Sequence, residues 1–135
     1  MAFSESINLA MTSANLAHEN KGKLSGISSG FLALDDLLGG LHKSDLIIIA
    51  GRPSMGKTAL ATNIAYNAAS NKNEGKSVAF FSLEMSAEQL ANRILAEQAT
   101  LSSDQIRRGK LNKDDFSKLS QVSEEISSNK LFIDD

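Results

Sequence analysis

The apolar positions change period several times along the chain, and each change marks an element. Between residues 4 and 19, Ile7, Ala10, Met11, Ala14 and Ala17 recur at helical spacing, which predicts a weakly amphipathic helix. A short Ala-rich helix is marginal alone and calls for a partner surface, in this chain or another. The polar stretch "HENKGK" breaks it. In "SGISSGFLALDDLLGGL", Ser and Gly punctuate a short apolar helix over 31–38, which Gly39 and Gly40 stop. Residues 46–50 are then continuously apolar and mostly β-branched, predicting a strand buried on both faces. "GRPSMGKT" makes a turn into a helix over 58–69, whose predicted buried stripe is Leu60, Ala61, Ile64 and Ala68.

After the polar loop "SNKNEGKS", "VAFFSL" predicts a second buried strand. Ser86, with Gln89 three residues on, forms a capping box for a helix whose apolar face is Leu90, Ile94 and Leu95. A short segment, "SSDQIRRG", ends at Gly109. Asn112 caps a further helix with Phe116, Leu119, Val122 and Ile126 on one side, and "KLFID" predicts a third strand. Alternating strands and helices predict an α/β fold, a parallel sheet with helices on both faces. Three strands are visible where open sheets of this class have about five or six, so the sheet reads as incomplete, with apolar edges and faces exposed.

Composition narrows the picture by exclusion. The 135 residues suit one domain, 41% hydrophobic and 22% charged. A formal net charge of −2 gives no bulk reason to expect nucleic acid, and neither half is a charged tail. The absence of cysteine removes disulfides and thiolate metal sites, and permits a reducing cytosol. The N-terminus has no basic start and no unbroken apolar core, so it does not read as a signal peptide, and no stretch approaches the ~20 apolar residues of a membrane helix.

The turn carries the strongest chemistry. Gly51, Arg52, Pro53, Ser54, Met55, Gly56, Lys57 and Thr58 match G-x-x-x-x-G-K-[ST] at every required position. Backbone N–H groups must curl round a β-phosphate, which requires glycine where the backbone turns left-handed or approaches closely. The Lys57 ammonium suits the β- and γ-phosphates, the Thr58 hydroxyl suits Mg²⁺, and the helix that follows offers its positive end. The pattern arises by chance in on the order of one chain in two hundred of this length, but the predicted strand before it and helix after it are the confirming context. Glu84, in "FFSLEMS", lies just past the carboxyl end of the predicted strand Val78–Phe81, the edge where open α/β sheets bind ligands. A carboxylate there can polarise a water that attacks a γ-phosphate; it can equally be an acid favouring the positive end of the next helix. "LFIDD" raises a parallel question. Spacing alone allows Asp134 to be a magnesium ligand, but the unfinished sheet argues against it.

Taken together, "SGISSGFLALDDLLGGL…DLIIIAGRPSMGKTALATNIA" resembles the opening of RecA-like ATPase domains. "RPSMGKT" with "FFSLEMS", "RRGKL" and "LFIDD" is similar to bacterial replicative DNA helicases of the DnaB type. RadA-like and KaiC-like ATPases share the first block but not "SLEMS"; an ATPase of that kind is the alternative on the same fold, which a downstream "DYLQ"-like strand would decide against. The resemblance implies a RecA-like P-loop NTPase: residues 24–135 as the N-terminal portion of its motor domain and residues 1–23 as a linker-type amphipathic helix and polar break. It implies an ATP- and Mg²⁺-dependent enzyme of the primosome, a cytoplasmic ring-shaped homo-hexamer translocating on single-stranded DNA, with primase and a helicase loader as partners. Residues 51–58 would hold phosphates and magnesium, with Thr58 as metal ligand, and Glu84 and Lys57 would be catalytic. The family's later magnesium aspartate, DNA loops and arginine finger lie beyond the matched residues. On that comparison Asp134 precedes the metal-binding strand and stands outside the metal ligands, and the chain reads as a motor fragment, a nucleotide-binding module without turnover of its own.

Weaker features divide on simpler grounds. Arg107, Arg108 and Lys110 form a basic cluster suited to DNA phosphates, but Asp104 beside it favours a solvated surface. Arg93 fits a nucleotide or a neighbouring subunit, but more simply a helix ion pair. His18 and His42 share no metal spacing and are expected to be exposed, and Tyr66 and the six Phe residues are expected in the core.

Overall fold

A computed structural model of the chain describes residues 1–20, 23–70 and 75–135. The predicted polar break at 18–23 and loop at 70–77 therefore lie partly outside the described residues. Eight elements follow in order: α1 (Phe3–Glu19), α2 (Leu32–Leu38), α3 (Lys57–Ala69), β1 (Val78–Phe81), α4 (Ala87–Gln98), α5 (Ser103–Arg108), α6 (Lys113–Ile126) and β2 (Leu131–Asp134). They fall into two compact units, Met1–Leu46 and Ile47–Asp135.

In the first unit α1 is exposed along its whole length, as expected of a helix lacking a partner surface. The segment that follows is organised by one carboxylate. Asp35 is 5% exposed and takes hydrogen bonds from the Ser29 N–H (2.8 Å), the Ser29 hydroxyl (2.7 Å) and the Ser28 hydroxyl. Burial pushes its pKa up, but these donors outweigh burial and hold it below the ordinary carboxylate value. Ile27 pairs with Leu41 in an antiparallel bridge that brings Gly26 against Gly40. A Cβ on Gly26 would lie 2.7 Å from the Leu41 carbonyl oxygen, so the side-chain-free contact is what lets the two backbones meet. His42 is exposed, as expected, with its Nε2 2.8 Å from the Ser25 hydroxyl.

In the second unit β1 and β2 pair in parallel, Val78 against Leu131 and Phe81 against Asp134. The connection runs through α4, α5 and α6, the helical crossover a parallel pair requires. Each helix has its start signal. Ser86–Gln89, Ser102–Gln105 and Asn112–Asp115 form capping boxes for α4, α5 and α6, and Gly109 closes α5 at φ +68°. The core is narrow. Ala65, Ala68, Ala69, Leu90, Ile94, Ala96 and Ala99 are buried, and Leu90 is the largest apolar side chain fully enclosed. Alanine-lined surfaces let α3 and α4 approach closely, and Asn63 on α3 donates to Glu97 on α4 at 3.2 Å. Tyr66 is half-buried between α3 and α6, hydrogen-bonded to Asn129; desolvation raises its pKa, the Asn129 bond opposes this, and the nearby Glu125 charge adds to it.

Five expectations need correction. Residues 46–50 form no strand. Among the described residues nothing pairs with them, and Leu46 and Ile48 are 86% and 79% exposed. A β-branched run fits a strand but does not make one without a ladder partner. The sheet consequently has two strands rather than three. Helices cover one face of the ladder instead of both: α3 lies against the strands, Val78, Phe80, Leu131 and Ile133 are half-buried, and Ala79, Phe81, Phe132 and Asp134 are exposed. The buried stripe of α3 is Thr62, Ala65, Ala68 and Ala69, sharing only Ala68 with the one expected; Leu60, Ala61 and Ile64 are half-buried. The Phe residues are not core. Phe80 alone lies on the covered face of the ladder, while Phe3, Phe31, Phe81, Phe116 and Phe132 are exposed.

Candidate nucleotide-binding site

Two junctions of the second unit carry the residues singled out from the sequence, and both end at the start of a helix. The first is 51–58. The Met55 N–H donates to the Arg52 carbonyl at 3.3 Å, which folds Pro53 and Ser54 into a turn. Ser54 and Gly56 sit in the left-handed region, at φ +64° and +84°. Gly56 is the N-cap of α3, a position where a side chain normally caps the helix, and it has none to offer. The first helical bond joins the Leu60 N–H to the Gly56 carbonyl at 2.9 Å. The N–H groups of Lys57, Thr58 and Ala59 precede it and have no acceptor among the described residues. Lys57 lays its stem over Gly51, where a Cβ would lie 3.4 Å from Lys57 Cγ. Residues 51–57 are exposed and Thr58 is half-buried in the first turn. Free donors, a helix's positive end and an exposed ammonium make this an anion cradle.

The second junction is 82–87, past β1. Here four backbone donors are claimed. The Ser82 N–H donates to the Asp134 carbonyl at 2.8 Å, continuing the ladder beyond the strands. The Met85 N–H donates to the Ser82 hydroxyl at 3.0 Å, and the Ser86 N–H to Gln89 Oε1 at 3.0 Å. The Ala87 N–H donates to Asp135 Oδ2 at 2.6 Å. Glu84 stands in the middle, exposed, its carboxylate without a partner among the described residues.

The fold thus gathers Gly51, Arg52, Pro53, Ser54, Met55, Gly56, Lys57 and Thr58 into one turn. It sets Glu84 on the edge where β1 and β2 both end; among the described residues no hydrogen bond or ion pair links Glu84 to Lys57 or Thr58. No cluster of three or more metal-binding side chains exists among the described residues. Asp134 ends β2 with its side chain exposed and contributes its carbonyl to the ladder. Asp135, to which the sequence reading gives no role, is the acid that engages the junction. Arg107 and Arg108 both pair with Asp104, at 2.9 and 3.1 Å, as a solvated surface requires. Arg93 has no carboxylate within ion-pair distance among the described residues, so the helix ion pair expected for it does not form.

Residues 26–135 match the family model of the DnaB-like helicase C terminal domain. The chain belongs to the DnaB-like helicase family. It is 48% identical over 96% of its length to the replicative DNA helicase DnaB of Rickettsia prowazekii, and 45% identical over 89% to that of Geobacillus stearothermophilus. A probable replicative DNA helicase of Trieres chinensis is 53% identical over 86% of the chain. The chain spans 28%, 26% and 25% of these relatives' lengths. Among solved structures, the ATPase domain of G40P aligns over 99% of this chain and 46% of its own, with a TM-score of 0.85 and 30% identity. A DnaB-like replicative helicase, described with its interactions with primase, aligns over 95% of this chain and 30% of its own, with a TM-score of 0.81 and 31% identity. The RecA-like α/β fold expected from the resemblance is that of these DnaB-like neighbours. Among the described residues no helix is long and apolar enough to cross a membrane.

Proposed function

We propose that this chain is the nucleotide-binding part of an ATP-dependent replicative DNA helicase motor. The observation that carries the reading is the junction at 51–58: an uncapped helix start with three free N–H groups, a left-handed Gly56 and the Lys57 stem folded over Gly51. On this reading the backbone of residues 51–56 cradles the ATP phosphates and Lys57 neutralises charge developing on the β- and γ-oxygens. Thr58 offers its hydroxyl to Mg²⁺, which when bound supplies further charge neutralisation. Glu84 orients and deprotonates the attacking water, and its lack of a competing partner supports that role.

The family match beginning at residue 26 supports a motor portion over 24–135 and a linker over 1–23, with exposed α1 suited to a neighbouring subunit. Single-stranded DNA, a homo-hexameric ring, primase, a loader and a cytoplasmic primosome follow from the same reading of the whole helicase. The neighbour described with primase supports the primase partner. For the chain alone we expect nucleotide binding with little or no turnover, since it spans 28% of a relative that carries the whole activity.

The test is ATP affinity and hydrolysis by the 135-residue chain, with and without single-stranded DNA, beside Lys57→Ala. We expect ATP binding that weakens at least about tenfold in the variant, the scale of one lost charge-assisted contact. Tight binding indifferent to Lys57→Ala would sink the cradle assignment. DNA-stimulated hydrolysis by the chain would overturn its reading as a part without turnover.

A further inference from the structure

Asp135 lies 51 positions after Glu84, by the numbering, and its carboxylate reaches the N–H of Ala87 at the far end of the junction that holds Glu84. We propose that Asp135 is a positioning residue for Glu84, acting through the first turn of α4. The inference rests on the reading of Glu84 as the base that orients water.

A carboxylate with no hydrogen-bond or ion-pair partner among the described residues must be held by its backbone, and the backbone at 82–87 is tied at both ends. At its start, the Ser82 N–H is tied to the Asp134 carbonyl (2.8 Å) and the Ser82 hydroxyl accepts from the Met85 N–H (3.0 Å). At its end, the Ser86–Gln89 box is local to α4, and among the described residues the Asp135 carboxylate is the hydrogen-bond acceptor that ties this end to another element. Its bond to the Ala87 N–H is 2.6 Å, short even for a charged acceptor, and its negative charge lies at the positive end of α4. Consecutive residues at the end of β2 thus grip both sides of Glu84: the Asp134 backbone holds residue 82 and the Asp135 side chain holds residue 87. The Glu84 side chain is left free while its main chain is not. This is the arrangement a water-orienting group needs, because small displacements of such a group are costly to rate.

The experiment compares Asp135→Ala, Asp135→Asn and the parent chain by backbone NMR order parameters. It also measures affinity for ATP and for ADP with aluminium fluoride, which mimics the transferring phosphoryl group. In Asp135→Ala the amides of Glu84 and Met85 should fall from about 0.85 to below about 0.6, while those of α6 stay rigid. ATP affinity should stay within about twofold and ADP with aluminium fluoride should bind at least about fivefold more weakly, because only the second ligand requires an ordered water. Asp135→Asn, whose amide oxygen still accepts a hydrogen bond, should restore both readouts. Unchanged order at Glu84 and Met85 in Asp135→Ala overturns the proposal. So does order lost throughout α4 and α6 together, which would make Asp135 a general stabiliser. If the junction loosens as expected but Glu84→Gln binds both ligands as the parent does, the failure lies with Glu84 as base, and Asp135 is then only a helix cap.

Discussion

The two helix starts of the second unit use the same physics for opposite ends. At α3 the N-cap is a glycine, no side chain closes the first turn, and three N–H groups remain open. At α4 the N-cap is Ser86, its box with Gln89 is complete, and Asp135 takes a further N–H. The unsatisfied donors of a helix start are a liability in a buried site and an asset beside a phosphate. On the proposed reading one junction keeps them for a phosphate, while the other ties the Ala87 and Gln89 N–H groups and leaves the Glu84 carboxylate exposed. The difference lies in glycine against serine at the N-cap, with Gln89 and Asp135 completing the closed junction.

The comparison can be broken by giving the open junction what the closed one has. Gly56→Asp should place a carboxylate against the free N–H groups and lower ATP affinity by about a hundredfold or more, measured by calorimetry, through competition and repulsion of phosphate. The left-handed φ of +84° adds a strain of about 1–2 kcal/mol, readable in the thermal midpoint. The closed junction is probed next. Glu84→Gln should weaken ADP with aluminium fluoride by about 10- to 100-fold and leave ATP within about twofold, the range expected of one acid–base group; equal effects on both would make Glu84 a ground-state contact.

A control in the first unit sharpens the contrast. Asp35→Ala should cost about 2 kcal/mol by removing the acceptor of three donors, with ATP affinity unchanged once the chain is folded. The pH dependence has a definite sign. The folded pKa of Asp35 lies below its unfolded value, so its stabilisation is fully present above about pH 4 and is lost as pH falls through the lower folded value. An acid titration followed by circular dichroism should show this loss in the parent and not in Asp35→Asn. Asp135→Ala should cost less, about 1 kcal/mol, as a lost helix cap does. The smallest effect belongs to the surface pairs. Asp104→Ala should change stability by under about 0.5 kcal/mol and no nucleotide affinity, because both of its arginine contacts are exposed.

What could be read from the residues divides along a physical line. Local signals succeeded: the box of Ser86 and Gln89, the cap at Asn112, the stop at Gly109 and the helix start after Gly56 depend on spacings of a few residues, and each stands where the sequence places it. Partner-dependent signals failed. "LIII" has the composition of a strand, but pairing decides strands, and none of the described residues pairs with it. The phenylalanines followed the same course, since Phe81 and Phe132 face away from the helices on the alternate face of a ladder covered on one side. Asp135 was invisible for a related reason. Its bond spans 48 residues and exists only because β1 and β2 lie side by side in parallel register. Two adjacent acids in "LFIDD" look alike in sequence, and the pleat sends them to different work.

The place of Tyr66 has a practical consequence. The chain contains one tyrosine and no tryptophan, and that tyrosine packs between α3 and α6 with its hydroxyl bonded to Asn129. Intrinsic ultraviolet emission is therefore a private signal of the second unit, while far-ultraviolet ellipticity sums the helices of both. Overlaid melting curves from the two would mean that the chain unfolds in one step; curves that separate would time the loss of Met1–Leu46 against that of Ile47–Asp135 without any added label.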